Sequence, residues 1–319
     1  MLNYFLAFLV AIVIAIIIGF PILKLCKKFH LSQTILHYVD KHAGKSGTPT
    51  MGGWIFILSC IISSIIFVDK GNAELFLILI TFLGYALLGF LDDFIKIRFH
   101  KNEGLKPYQK IIGQVALSLV IAIYVYLYVG TSLDLFGLKL NLGWGIIPFI
   151  VIFFVAVTNA VNLTDGLDGL AGGTTFAYLV FFGVIVALLG GRDYAIISFA
   201  LTGGLIGFLC FNGFPAKIFM GDTGSLALGA MIALLAVFSG LELIMPIIGI
   251  MFVLSALSDI IQVAYYKKTH KRVFLMAPLH HHFEKKGVHE NRIVFVYIVI
   301  TLICGLSALM GYMALCGVI

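Results

Sequence analysis

NAVNLTDGLDGLAGG, residues 159–173, lies between two apolar runs, 146–157 before it and 175–189 after it. Asn159, Asn162, Asp165 and Asp168 recur at every third position. On a helix that spacing keeps neighbours on one broad face. Glycines at 166, 169, 172 and 173 let backbone or a ligand come close. A carboxylate deep in a bilayer costs about 2.5–3.5 kcal/mol on insertion scales. The group is therefore expected at a membrane end of a helix or along a wet cavity. A polar loop with helix caps accounts for one Asp and one Asn, but hardly for four polar residues.

Outward from that stretch, the 319 residues are 61% hydrophobic and only 11% charged. A soluble domain is about 45–50% apolar and about 25% charged. The chain reads as an all-α integral membrane protein, a single polytopic domain over 1–319. No polar stretch is long enough to build a soluble domain. The formal charge of +6 fits membrane orientation better than nucleic acid. The five cysteines are scattered without CxxC spacing, so neither a disulfide framework nor a zinc site is expected. Met1 to Phe20 has no basic stretch ahead of it and no small-residue cleavage site. Lys24, Lys27 and Lys28 follow it, as after a first spanning helix rather than a signal peptide.

A crossing takes about 20 apolar residues. The apolar runs predict about ten transmembrane helices, at 2–24, 51–68, 74–95, 108–129, 144–161, 173–190, 194–212, 223–239, 242–266 and 292–316. Alternate connections then share a side. Of the 21 Lys and Arg, only Lys70, Lys139 and Arg192 fall in the set 69–73, 130–143, 191–193 and 240–241. By the positive-inside rule the other set, 25–50, 96–107, 162–172, 213–222 and 267–291, is cytoplasmic and both termini are extracytoplasmic. Period-two alternation from Leu133 to Leu142 predicts a short hairpin in an outer loop.

Nearly all the unusual polar residues fall in the cytoplasmic set. Asp92 and Asp93 end the third span, with Lys96 close behind. Acids at a helix C-terminus oppose the macrodipole, so chance placement is disfavoured. Adjacent carboxylates cannot both face one partner: one could bind metal or act as a base while the other supports a neighbour. Asp222, in PAKIFMGDTGS, reads alone as an ordinary N-cap. With Asp92, Asp93, Asp165 and Asp168 it becomes a fifth oxygen donor, of the hard kind that suits Mg²⁺ shared with substrate phosphates. His280, His281 and His282 point in different directions and so cannot readily share one ion. No HExxH is present, against a zinc protease. Lys45 to Gly53 supplies a cation, hydroxyls including Thr50, and glycines, but is not a GxxxxGK[ST] loop. Asp259 and Gln262 precede Lys267, Lys268, Lys271 and Arg272, which also read as an anchor to anionic headgroups. Together these residues predict an active site at the cytoplasmic face for Mg²⁺, phosphates and a lipid-borne partner, suited to phosphoryl transfer.

KSGTPTMGG, LDDFIK, NAVNLTDGLDGLAGG, FMGDTGS and APLHHHFE, in that order, closely resemble the motifs of the phospho-N-acetylmuramoyl-pentapeptide transferase family, within the polyprenyl-phosphate N-acetylhexosamine-1-phosphate transferases. The resemblance implies transfer of phospho-N-acetylmuramoyl-pentapeptide from its UDP conjugate to undecaprenyl phosphate, giving lipid I and UMP in peptidoglycan biosynthesis. It also implies Mg²⁺ dependence and a homodimer among membrane lipids in the bacterial cytoplasmic membrane. By the same carry-over Asp222 is the metal ligand, and Asp92 and Asp93 are the essential pair, Asp92 being the base. Lys45, Lys96, Asn159, Asn162, Asp165, Asp168 and Phe219 frame the nucleotide side, and Thr50 is a further substrate-binding position. Gln262 and His280 to His282 lie near the sugar-phosphate and peptide side. A related transferase using UDP-N-acetylglucosamine would share the Asp motifs, and the intact His run separates the two. A transporter would place its ion sites near the bilayer midplane instead, and a membrane scaffold leaves the one-sided polar clusters without a reason.

Overall fold

The computed structural model describes residues 1–29, 31, 47–99, 104–135 and 137–315. In chain order they form α1 (Leu2–Lys28), α2 (Trp54–Phe67), α3 (Ala73–Arg98), α4 (Pro107–Tyr124, prolonged to Val129 by a π turn), β1 (Ser132–Leu135) and β2 (Leu138–Asn141). There follow α5 (Ile146–Thr164), α6 (Leu170–Leu188), α7 (Arg192–Asn212), α8 (Gly221–Phe238), α9 (Met245–Ile248), α10 (Ile250–Thr269), α11 (Leu279–Lys285) and α12 (Glu290–Leu315). Among the described residues, nine helical segments are long and apolar enough to cross a membrane, and α2 is a shorter apolar tenth. The architecture is that of a nearly all-helical integral membrane protein. The expected hairpin is present: β1 and β2 pair antiparallel, Ser132 opposite Asn141 and Leu133 opposite Leu140.

Two expected spans differ in form. The run 51–68 is helical only from Trp54, and 14 residues rise about 21 Å, short of the roughly 30 Å hydrocarbon layer. The residues before it run alongside the segment leading into α8. Phe219 N–H donates to Pro49 O (2.8 Å), Gly52 N–H to Phe219 O (2.8 Å) and Gly53 N–H to Met220 O (3.0 Å). Such non-helical backbone is tolerated at depth where protein covers it, and Thr50 and Met51 are buried. The run 242–266 is split into α9 and α10 at Gly249. Within the expected loop 267–291, APLHHHFEKK supplies the additional short helix α11.

Packing follows residue size. In α1, Ala7, Ala11, Ala15 and Gly19 form a buried stripe at i, i+4 spacing. It lies against small residues of α7: a Cβ on Gly203 would stand 2.2 Å from Phe8 O. Small residues on both sides are what allow close helix approach where lipid supplies no hydrophobic drive. The outer faces of α1, α10 and α12 expose Phe5, Ile17, Ile260 and Phe295. At the centre stands α8, buried at every position from Thr223 to Phe238 and packed between α3 and α5.

Candidate active site

The site forms where α3 and α5 end and α4 and α8 begin. Gly89 makes the junction possible, because a Cβ there would lie 2.1 Å from Asp222 O. With no side chain at 89, α3 touches the first turn of α8 and brings two acids to it. Asp93 is buried and commits both oxygens to that turn. Oδ1 accepts from Asp222 N–H (3.2 Å), and Oδ2 accepts from the Thr223 N–H (2.9 Å) and hydroxyl (2.8 Å). It thus satisfies orphan donors at the α8 N-terminus from a neighbouring helix. Asp222, which alone reads as the cap, is relieved of that duty and turns its carboxylate into the cluster.

Asp92, also buried, accepts from Leu105 N–H on Oδ1 (2.8 Å) and meets Lys96 Nζ (2.6 Å) and Lys110 Nζ (3.0 Å) on Oδ2. Asp222 Oδ2 meets the same two ammonium groups, Lys96 at 3.1 Å. Its Oδ1 accepts from Asn162 Nδ2 (3.1 Å). Carboxylate oxygens of Asp92, Asp93 and Asp222 all lie within 4.8 Å of one another. This cluster fits a divalent cation: its donors are hard oxygens, and positive charge is already held between Asp92 and Asp222. With Asp93 engaged by α8, Asp92 and Asp222 are the donors facing that place.

The α5–α6 turn brings the remaining acids to the same end. Asp165 is half-buried there. Desolvation, then the charges of Asp222, Asp93 and Asp168, push its carboxyl up to about 8. Asp168 is buried: Oδ2 accepts from Ala216 N–H (3.0 Å), and its N–H donates to Glu290 Oε1 (2.5 Å). These bonds tie the turn to the segment before α8 and to the start of α12. A Cβ at Gly166 would lie 2.2 Å from His280 Nε2, so this glycine admits the α11 histidine to the turn. His280 is fully buried, and neither ring nitrogen has a hydrogen-bond partner among the described residues. Burial, then His281, pulls it down to about 3, so its imidazole is neutral near pH 7. His281 Nδ1 pairs with Glu284 Oε2 (3.0 Å), and His282 Nδ1 accepts from Leu275 N–H (3.1 Å). The three rings have three different sets of neighbours, as their consecutive spacing predicts.

Gln262 folds the segment after α10 back on that helix, its Oε1 accepting from Val273 N–H (3.1 Å) and Phe274 N–H (2.9 Å). Thr50 is buried, its Oγ1 2.7 Å from where a Gly221 Cβ would stand, and Phe219 is half-buried beside it in the chain segment pairing with Pro49 and Gly52. Asn159 Nδ2 donates to Gln114 Oε1 (2.7 Å) and Val155 O (2.7 Å). Lys45 lies outside the described residues. Sequence reasoning singled out neither Lys110 nor Gln114. The signal was there, Lys110, Gln114 and Ser118 recurring every four residues along a mainly apolar helix, but nothing local says what they face.

Residues 75–240 match the family described as Glycosyl transferase family 4. Over nearly the whole chain, the sequence is similar to curated proteins named phospho-N-acetylmuramoyl-pentapeptide-transferase. The relative from Thermoanaerobacter sp. (strain X514) is 47% identical over 301 residues, covering 93% of this chain and 95% of the relative. That from Desulfitobacterium hafniense is 43% identical over 329 residues, 98% of each. That from Clostridium perfringens (strain 13 / Type A) is 46% identical over 300 residues, 93% of this chain and 95% of the relative.

Proposed function

The chain belongs to glycosyl transferase family 4 and, within it, to the phospho-N-acetylmuramoyl-pentapeptide transferases, and on that premise we propose that it joins undecaprenyl phosphate to UDP-N-acetylmuramoyl-pentapeptide with the aid of Mg²⁺. It is a multi-pass membrane transferase of peptidoglycan synthesis. The observation that carries the finer reading is the convergence of Asp92, Asp93 and Asp222 with Lys96 and Lys110 at one end of the bundle.

In this reading an oxygen of the lipid phosphate bonds to the β-phosphorus of the UDP conjugate. The bond from that phosphorus to the bridging oxygen breaks, and UMP leaves. Asp222 would hold Mg²⁺, which supplies counter-charge for the transferring group. Asp92 takes the proton when the lipid phosphate arrives protonated. Lys96 and Lys110 balance the carboxylates before substrate binds and can turn to phosphate oxygens when it does. Asp93 keeps the α8 terminus in place. Asp165, Asn159 and Asn162 stand on the nucleotide side and the neutral His280 beside the sugar-phosphate. The charge asymmetry supports a cytoplasmic position for this end and extracytoplasmic termini. A homodimer belongs to the same reading and rests on the family resemblance alone.

The test is UMP release by the purified protein given undecaprenyl phosphate and Mg²⁺. Release from UDP-N-acetylmuramoyl-pentapeptide, lost on chelation, is expected. Release from UDP-N-acetylglucosamine alone would overturn the substrate, and release undiminished by chelator would overturn the metal.

A further inference from the structure

One helical turn beneath Lys110 lies a second polar layer, centred on a fully buried residue. Gln114 of α4 is 0% exposed. Its Oε1 accepts from Asn159 Nδ2 of α5 (2.7 Å) and faces the Thr158 hydroxyl (3.3 Å), and its main-chain carbonyl accepts from the Tyr85 hydroxyl of α3 (3.0 Å). Three helices are thereby joined through one residue.

The orientations are decided by chemistry. Asn159 Nδ2 also donates to Val155 O (2.7 Å). A main-chain carbonyl only accepts, so that end of the Asn159 amide is the NH₂. The Gln114 atom opposite it must then be an oxygen. Both hydrogens of the Asn159 amide are committed, one to Val155 and one to Gln114. The end left for a ligand is Oδ1, on a half-buried residue one turn of α5 from Asn162, which bonds Asp222. Asn162, one turn along α5, is in the same position, its Nδ2 engaged by Asp222 Oδ1 (3.1 Å) and Ser225 Oγ (2.7 Å). Gln114 keeps its orientation although its own Nε2 is buried without a hydrogen-bond partner among the described residues. Turned over, the Gln114 amide would set its own NH₂ against that of Asn159, so the unmatched Nε2 follows from serving Asn159.

We propose that Gln114 is a positioning residue: it takes the second amide hydrogen of Asn159 and so makes Asn159 present an acceptor oxygen to the substrate. The group received there is a hydroxyl or N–H donor of the nucleotide-linked substrate, because an acceptor oxygen repels phosphate. The proposal rests on the reading of Asn159 as a substrate residue.

Gln114→Met removes the acceptor at nearly constant volume, and Gln114→Glu keeps an acceptor. The readouts are KM for UDP-N-acetylmuramoyl-pentapeptide, kcat per folded enzyme and Tm in detergent. Gln114→Met is expected to raise KM about tenfold, the size of one lost orienting contact, with kcat within about threefold. Gln114→Glu is expected to stay within about threefold of the unaltered KM. In an Asn159→Ala background, Gln114→Met should add less than about twofold, since the interaction it removes is already gone. A fall in Tm or kcat with KM unchanged overturns the proposal, as do two KM effects that multiply. If Asn159→Ala leaves KM unaltered, the proposal fails together with the substrate reading of Asn159. If Asn159→Ala raises KM and Gln114→Met does not, only the role of Gln114 fails. Should Gln114→Met not fold, Gln114→Asn, which withdraws the oxygen by one methylene, is read in the same way.

Discussion

Asp92 and Asp93 are neighbours with opposite duties. Asp93 is engaged by three donors of α8, Asp92 by Leu105 and two lysines. Removing Asp93 leaves buried N–H groups unmatched, so Asp93→Ala is expected to lower stability by about 1–3 kcal/mol, read as a shift in denaturation midpoint. Asp92→Asn should instead fold normally and bind the UDP conjugate while UMP release slows. Asp222→Ala should abolish release and weaken its Mg²⁺ dependence; near-normal turnover would refute the metal role. Asp165 gives a pH signature. Its carboxyl titrates at about 8 in the fold and near 4 in an unfolded chain. The unfolded state ionises first, so the folded state loses stability as pH rises from about 4 to about 8, and no further above. In magnesium-free detergent, the Tm advantage of Asp165→Asn should therefore open between pH 5 and 8 and then stay level. A gap independent of pH would contradict the shift. The acids themselves were legible in the sequence, because a carboxylate at the end of an apolar helix needs a reason. Which of the adjacent pair faces the cluster was not, since that depends on where α8 begins. Lys110 and Gln114 were illegible for the same reason: their partners lie on other helices, up to 112 residues away.

At the scale of elements, the spans and the hairpin were readable because length and periodicity are local properties. The late start of α2, at Trp54, was not. It follows from backbone pairing between the segment after Pro49 and the segment before Met220, which only the assembled bundle dictates. The junction of α3 with α8 depends most on Gly89. A methyl group there meets backbone at 2.1 Å, and backbone cannot rotate aside. Gly89→Ala is expected to lower stability by about 1–3 kcal/mol. It should also reduce UMP release by more than the loss of folded protein explains, because it parts Asp92 from Asp222. Release per folded enzyme equal to that of the unaltered protein would show that the junction tolerates the added group.

For the molecule as a whole, the distribution of positive charge and the clustering of acids make one claim about sidedness. Single cysteines at Lys70 and Lys139 are expected to react with an impermeant maleimide in intact cells, and a cysteine at Lys217 only after permeabilisation. The reverse pattern would place the catalytic end outside and exclude a cytoplasmic nucleotide as substrate. The α8 helix adds a consequence for biogenesis. A helix enclosed on every side has no lipid-facing surface to settle on. Until it arrives, the seven helices inserted ahead of it leave a slot between α3 and α5. A nascent chain halted after α7 would present that slot to the bilayer, an open seam for misassembly and for the proteases that clear unfinished membrane proteins.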